Sequence, residues 1–420
     1  MRIMNILYNI AIAILNLIVR LVAPFNNTIG LWAKGVSGWQ DKISEKIRPG
    51  DRVIWMHCAS LGEFEQGRPV IEALRRGRAD LKIVLTFFSP SGYEVRKGYA
   101  GADCIIYLPS DTAANASRLV KMLNPEFVIF VKYEFWNNYI SELYRNQIPL
   151  YLISAIFRPG QHFFKWHGAF FRKMLGKFRM IFVQDKQSLE LLSSIGLNNM
   201  MFSGDTRFDR VAEIADSARE IPLLEKFRGD ERLFLAGSSW RPDEEIICRY
   251  INSYPGKMKW VFAPHMIDKQ NIDRLEKLFE VPVARFSAYD PAVSEARVLI
   301  IDNIGMLSSA YRYASIAEVG GGFGTGIHNV LEPACWGIPV LFGPNHLKFR
   351  EAVELIISGG GRSFQSYDEF EKTVDEWLSN EISYIDSAKA AGTFVKENIG
   401  ATDIIIQEIG SVICLTQSYH

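Results

Sequence analysis

Cysteine is sparse in this sequence: Cys58, Cys104, Cys248, Cys335 and Cys414 stand apart, with no CxxC pair and no Cys/His ligand spacing. An odd, unpatterned set of thiols excludes a disulfide framework and a zinc finger, and it favours the reducing cytoplasm. Excess charge is lacking too. Lys+Arg and Asp+Glu each number 47, so no overall field draws the chain to nucleic acid, and any anion site must be local. No His/Asp/Glu cluster has the spacing of a metal site, and Asp103, Asp111 and Asp290 form no DxD pair. Internal repeats, low-complexity tracts and long disordered linkers are missing as well. What remains is a globular composition, 48% hydrophobic and 22% charged, in a 420-residue chain that has room for two domains.

One long apolar run is present, residues 3–25, interrupted only by Asn5, Asn9, Asn16 and Arg20. Its uncharged length is near the minimum for crossing a bilayer, and no small-residue cleavage site follows it. Residues 1–25 therefore read as a retained N-terminal membrane anchor, with a core helix or a signal peptide as the other readings. Arg20 near its end and Lys34, Lys42, Lys46 and Arg48 beyond it give a positive flank, weakened by Asp41 and Glu45, that is expected to keep the bulk of the chain on the cytoplasmic side.

From about residue 50 short apolar runs alternate with longer amphipathic stretches. The runs Val53–Cys58, 82–86, Phe127–Val131, 150–153 and Met180–Val183 predict the strands of a parallel sheet covered by helices. A charged, poorly periodic stretch with Pro222 and Gly229 breaks the rhythm, and it resumes with runs at 233–236, 260–263, 298–301, 315–319 and 339–342. The expectation is an α/β chain with two Rossmann-like domains facing a cleft, residues 26–215 and 232–400. Residues 216–231 link them, and a C-terminal helix over 401–420 can cross back to the first domain.

In open α/β sheets ligands bind at the carboxyl ends of strands, where loops lead into helices. Three such loops stand out. The first, His57-Cys58-Ala59-Ser60-Leu61-Gly62-Glu63, puts Glu63 at the start of a helix, where its carboxylate can accept a proton from a hydroxyl or merely favour the helix dipole. The second runs from Gly320 through Gly326 to His328-Asn329-Val330-Leu331-Glu332-Pro333. Its glycines and the helix start expected at Pro333 suit a phosphate, while Glu332 can accept ribose hydroxyls; a tight strand-to-helix turn is the plainer reading. The third, Ala263-Pro264-His265, ends a strand of the same half.

At these loops the chain resembles the 3-deoxy-D-manno-octulosonic acid (Kdo) transferases of lipopolysaccharide biosynthesis, over about residues 53–349. The motifs concerned are Ala59-Ser60-Leu61-Gly62-Glu63, Glu134-Phe135-Trp136, Gly204-Asp205-Thr206-Arg207-Phe208-Asp209, Ser238-Ser239-Trp240, Pro264-His265, Asn303-Ile304-Gly305-Met306 and His328-Asn329-Val330-Leu331-Glu332-Pro333. Three positions depart from the family pattern: Trp240 stands for a His, Ile327 for a Gly, and Arg207 for a Lys, which keeps the charge. The resemblance implies a GT-B glycosyltransferase at the inner membrane, with CMP-Kdo as donor, a tetraacylated lipid A precursor as acceptor, and neither metal nor cofactor. It further implies Glu63 as general base and Glu134 and Arg207 near the transition state. Pro264, His265, Ile304, Gly305, Met306, Gly326, Asn329, Val330, Leu331 and Glu332 would hold the nucleotide.

Between Phe157 and Arg179 the chain carries Arg158, Lys165, Arg172, Lys173, Lys177 and Arg179 with no acid, interleaved with Phe163, Phe164, Trp166, Phe170, Phe171 and Phe178. Such a stretch suits a membrane surface or the acceptor's phosphates, or else a core helix with a solvated basic face. A GT-B enzyme acting on another nucleotide sugar, a UDP-sugar epimerase included, would share the Gly-rich loop and Glu332 without needing Glu63. A membrane-tethered nucleotide-sugar-binding protein would bind without turnover.

Overall fold

Strands that are apolar on both faces have to be covered on both faces, which makes a parallel sheet between helical layers the natural packing. The computed structural model describes residues 2–78, 80–291 and 295–417, with the side chains of residues 2 and 411–417 outside that description. The final residues of the expected C-terminal helix and the Cys414 side chain thus lie outside the described residues; Cys58, Cys104, Cys248 and Cys335 are free thiols. Two compact units are seen, one made of the residues up to Asp209 with those from Gly400 onward, the other of Arg210–Ile399. Each unit holds one seven-stranded parallel sheet.

The first unit opens with helices α1 (Arg2–Val22), α2 (Asn27–Val36) and α3 (Trp39–Lys46). Its strands are β1 (Val53–Cys58), β2 (Lys82–Phe87), β3 (Cys104–Tyr107), β4 (Phe127–Val131), β5 (Leu150–Ala155), β6 (Met180–Val183) and β7 (Met200–Phe202). They lie in the order β3-β2-β1-β4-β5-β6-β7, so the winding reverses between β1 and β4. Every residue of β1, β4 and β5 is buried. Successive side chains point to opposite faces, and two cores result. Trp55, Val128 and Phe130 join α3 in one; Ile54, Met56 and Ile129 join Phe64, Val70 and Ile71 of α4 (Leu61–Gly77) in the other.

The second unit contains β8 (Leu233–Ser239), β9 (Lys259–Pro264), β10 (Val283–Arg285), β11 (Val298–Ile300), β12 (Ile316–Val319), β13 (Val340–Phe342) and β14 (Gly361–Ser363). The order β10-β11-β9-β8-β12-β13-β14 reverses between β8 and β12. Four strands that the apolar runs did not announce, β3, β7, β10 and β14, are the edges of the two sheets.

Helix α1 is fastened to the first unit by its polar residues. Tyr8 donates its hydroxyl proton to Asp111 Oδ2 at 2.5 Å, Asn138 Nδ2 donates to Asn9 Oδ1 at 2.9 Å, and Ser110 Oγ donates to Asn16 Oδ1 at 2.6 Å. Residues 5, 8, 9, 12 and 16 recur at helical spacing and share one face. The opposite face carries Ile3, Leu7, Ile10, Ile14, Leu17 and Leu21, all exposed. The Asn residues that interrupt the apolar run therefore mark the docked side of the helix.

In the basic stretch the core reading wins for part of the aromatics, since Phe163 and Phe178 are buried. Trp166 is 92% exposed beside the exposed Lys165. Phe170 packs against Tyr8 of α1, with ring centroids 6.3 Å apart.

The C-terminal helix Ala401–Gln417 packs Ile405 and Ile409 against the α4 side of the first sheet. Its N-terminus is held by Asp209, which accepts from Gly400 N at 2.6 Å and from Thr402 N and Oγ1 at 2.7 Å. Removing a carboxylate with three donors costs about 2 kcal/mol. Asp209→Ala is expected to lower the thermal unfolding midpoint of the first unit accordingly; an unchanged midpoint would show that the helix is held by its apolar face alone.

Candidate active site

The loops after β1 and β4 emerge side by side at the point where the first sheet reverses, and each brings one predicted carboxylate. Glu63 lies in the first turn of α4 and is half-buried. Ser60 caps no backbone amide of this helix; its hydroxyl donates to the Glu63 carboxylate and fixes its direction. Glu134 follows β4 and is buried. A buried carboxylate needs donors, and Glu134 Oε2 accepts from Trp136 Nε1 at 2.6 Å and from His57 Nε2 at 2.8 Å.

His57, the fifth residue of β1, is fully buried, and its other ring nitrogen meets Thr86 Oγ1 at 2.9 Å. Trp55 Nε1 donates to that same oxygen at 2.8 Å, and His57 Nδ1 also lies 3.1 Å from the Thr86 carbonyl oxygen, which can only accept. A carboxylate oxygen accepts, so His57 Nε2 donates to Glu134. A hydrogen-bonded chain Trp55–Thr86–His57 thus ends on the Glu134 carboxylate. Neither His57 nor Thr86 was among the predicted site residues, although a histidine within an otherwise apolar buried strand is itself a signal.

Arg207 begins the helix Thr206–Asp216. Its guanidinium is held by Asp205, with Nη2 2.7 Å from Oδ2, and the neighbouring Thr206 hydroxyl donates to Gln66 O, one turn along α4 from Glu63, at 2.6 Å. Backbone strain collects at this end of the sheets. Lys132 after β4 (φ 69°), Ser154 in β5 (φ 54°) and Ser238 in β8 (φ 52°) are left-handed without being glycine, and the pairing register shifts around Ser154 and Ser238.

In the second unit the predicted residues gather on the loops after β8, β9, β11 and β12. His265 follows β9 and is stacked between two rings, Trp240 at 4.5 Å and His328 at 4.7 Å, while Trp240 Nε1 donates to His328 Nε2 at 3.1 Å. Burial, with His265 adding to it, lowers the pKa of His328, in keeping with an accepting nitrogen. Trp240 thus closes a ring stack with the two histidines. Asp243 draws two loops together by accepting from Trp240 N at 2.9 Å and Gly321 N at 3.1 Å.

The Gly-rich loop packs backbone on backbone: a Cβ at Gly320 would lie 2.4 Å from Ser238 O. Gly326 has φ 145°, and Ile327 is buried, so the extra side chain of this position turns inward. Asn329 Nδ2 donates to Glu332 Oε1 at 3.2 Å and Ser308 Oγ donates to Glu332 Oε2 at 2.7 Å, which joins the Ile304-Gly305-Met306 loop to the Asn329–Glu332 segment. Val330 and Leu331 are buried beneath Glu332, and Pro264 ends β9. The helix expected at Pro333 is a single turn, Leu331–Ala334, and Leu331 N is already satisfied by Asn329 Oδ1 at 3.1 Å. Its dipole is correspondingly small.

Residues 37–210 match the family described as 3-deoxy-D-manno-octulosonic acid transferase (Kdo transferase). A protein of that name from Aquifex aeolicus is 28% identical over 344 residues, covering 80% of this chain and 88% of its own. Another from Haemophilus influenzae is 25% identical over 369 residues, 84% of this chain and 85% of its own. Among solved structures, UDP-GlcNAc 2-epimerase from Neisseria meningitidis superposes with a TM-score of 0.60 at 15% identity, covering 86% of this chain and all (100%) of that one. That likeness bears on the fold alone, which is the GT-B fold.

One buried acid of the second unit has no counterpart in the predicted site. Both oxygens of Glu318 in β12 are unpartnered, and burial drives its pKa well above the carboxylate range; burial likewise lifts Asp243 to about 6. Groups with raised folded pKa values keep their protons in the folded state after the unfolded chain has lost them, so they cost stability as pH rises from the ordinary carboxylate range. Thermal midpoints should fall from pH 5 to pH 8, and Glu318→Gln should flatten that fall. Parallel pH profiles for the two proteins would show that Glu318 carries no buried proton.

Proposed function

The chain is a glycosyltransferase related to the Kdo transferases, and from that premise we propose that it transfers Kdo from CMP-Kdo to a tetraacylated lipid A precursor, an inner-core step of lipopolysaccharide biosynthesis. The observation that carries the reading is the pair Glu63 and Glu134 on the two loops that flank the reversal of the first sheet, in the part of the chain that matches the family. Glu63, oriented by the Ser60 hydroxyl, takes the proton of the acceptor hydroxyl as its oxygen bonds to the anomeric carbon of Kdo. The bond from that carbon to the phosphate oxygen breaks, and CMP leaves with the electron pair. A single displacement of this kind inverts the anomeric centre and needs no covalent sugar–enzyme intermediate.

The Glu134 carboxylate faces the positive charge that develops on the sugar, and Arg207 faces the negative charge on the phosphate or the Kdo carboxylate. The second unit supplies the nucleotide site: Pro264 and His265, the loop Ile304-Gly305-Met306, Gly326 and Asn329-Val330-Leu331-Glu332. Glu332, steered by Asn329 and Ser308, accepts the ribose hydroxyls. Charge at the leaving group is met by Arg207 and loop amides, so the reaction is assigned no metal. The exposed apolar face of α1 rests in the inner membrane interface, with the catalytic units on the cytoplasmic side.

Detergent-solubilised protein is expected to transfer labelled Kdo to the precursor in EDTA; CMP binding without transfer would refute the donor and acceptor assigned. Glu63→Gln should cut transfer by about 10²–10⁴-fold with CMP affinity kept, and undiminished transfer would remove Glu63 as the base. Glu332→Ala is expected to weaken CMP binding about tenfold in calorimetry, equivalent to roughly 1.4 kcal/mol; an unaltered affinity would exclude the ribose contact.

A further inference from the structure

Between α1, α2 and the loops after β2, β3 and β4, the first unit holds a half-open, mostly apolar cavity of about 310 Å³. Ile12 and Val19 of α1, Ile29 and Trp32 of α2, Phe88 and Trp136 form its walls. Apolar side chains that line an unfilled cavity forgo contacts on that side, so an apolar occupant would be stabilised there. This lining is braced open by bonds that have nothing to do with filling it. Tyr8, Asn9 and Asn16 peg α1 to Asp111, Asn138 and Ser110, and Trp136 is tethered to Glu134 at 2.6 Å.

We propose that this cavity is the subsite for one fatty acyl chain of the acceptor, an inference that rests on the lipid-acceptor reading above. Its inner wall joins the catalytic cluster: Trp136 donates to Glu134 and packs on Phe88 at 5.0 Å between ring centroids. Its outer wall is α1, whose other side presents Ile3, Leu7, Ile10, Ile14 and Leu17 to the surroundings. A chain entering from a lipid layer past α1 would stay among apolar side chains until it stood one indole ring from Glu134. The volume is at the lower end for ligand pockets, which suits a single chain segment and leaves no room for the sugar. Seating a chain here fixes the acceptor hydroxyl relative to the two carboxylates, so acylation becomes a requirement for good alignment as well as for membrane residence.

The test uses the full chain in nanodiscs, with Ile29→Trp to fill the cavity and Val19→Phe as a second filling variant should the first unfold. Wild-type protein should prefer the tetraacylated precursor over its deacylated form by at least tenfold in kcat/KM. The filling variant should lose that preference while keeping wild-type transfer to the deacylated form. Separately, a diazirine-bearing C14 fatty acid should label peptides containing Ile29 or Trp136 in wild-type protein and spare them in the variant. This labelling needs no turnover, so it still reports on the cavity if the Kdo reading fails. Equal preference in wild type and variant would overturn the proposal; where labelling is nevertheless found, the cavity holds a bilayer lipid's chain instead. Labelling confined to the exposed face of α1 would overturn it as well.

Discussion

Parallel pairing of β1 with β4, and of β8 with β12, is the constraint on which the rest of the structure depends. Parallel strands release all their carboxyl ends at one edge of the sheet, and neighbouring strands that wind away in opposite directions leave a gap there that no crossover helix covers. Glu63 and Glu134 are brought together by the first pair, and the Trp240 and Gly-rich loops by the second. The backbone strain at Lys132, Ser154 and Ser238 sits at the same edge, where the strands are bent away from regular pairing.

A second demand follows from the first. Strands buried on both faces have little tolerance for polar groups, yet the ends of those strands have to carry charge. The first unit meets this by running a hydrogen-bonded chain from Trp55 through Thr86 and His57 to Glu134, so that the carboxylate's position is set from inside the sheet. The second unit leaves Glu318 unpartnered and protonated instead. One solution fixes a charge near the surface, and the other removes a charge from the core.

The central strands were legible because each is a run of apolar residues long enough to be buried on both faces, as with Val53–Cys58 and Phe127–Val131. The edge strands β7 and β10 were not, since they are three residues long and only partly buried, and their residues carry no clear period. Glu63 and Glu332 could be found from their places after a strand and a Gly-rich loop. Ser308 and Asp243 could not, because their importance lies in partners 24 and 78 residues away in the chain; His57 stands out as a histidine in an apolar strand, but its partner Glu134, 77 residues on, does not. The apolar N-terminal run was read as an anchor from its length, and that length was silent on which face its asparagines occupy.

Those asparagines change what it means to shorten the protein. The groups that hold α1, Asp111 and Asn138, also shape the segment just beyond Trp136: Asp111 accepts from the backbone amides of Asn138 at 3.0 Å and Tyr139 at 2.9 Å. A version beginning after residue 25, made to gain solubility, would strip the Tyr8 hydroxyl from a buried carboxylate and unroof Trp136 in the same cut. Solubility and the integrity of the segment around Trp136 are therefore coupled, and an activity lost on truncation would say as much about a missing wall as about a missing membrane.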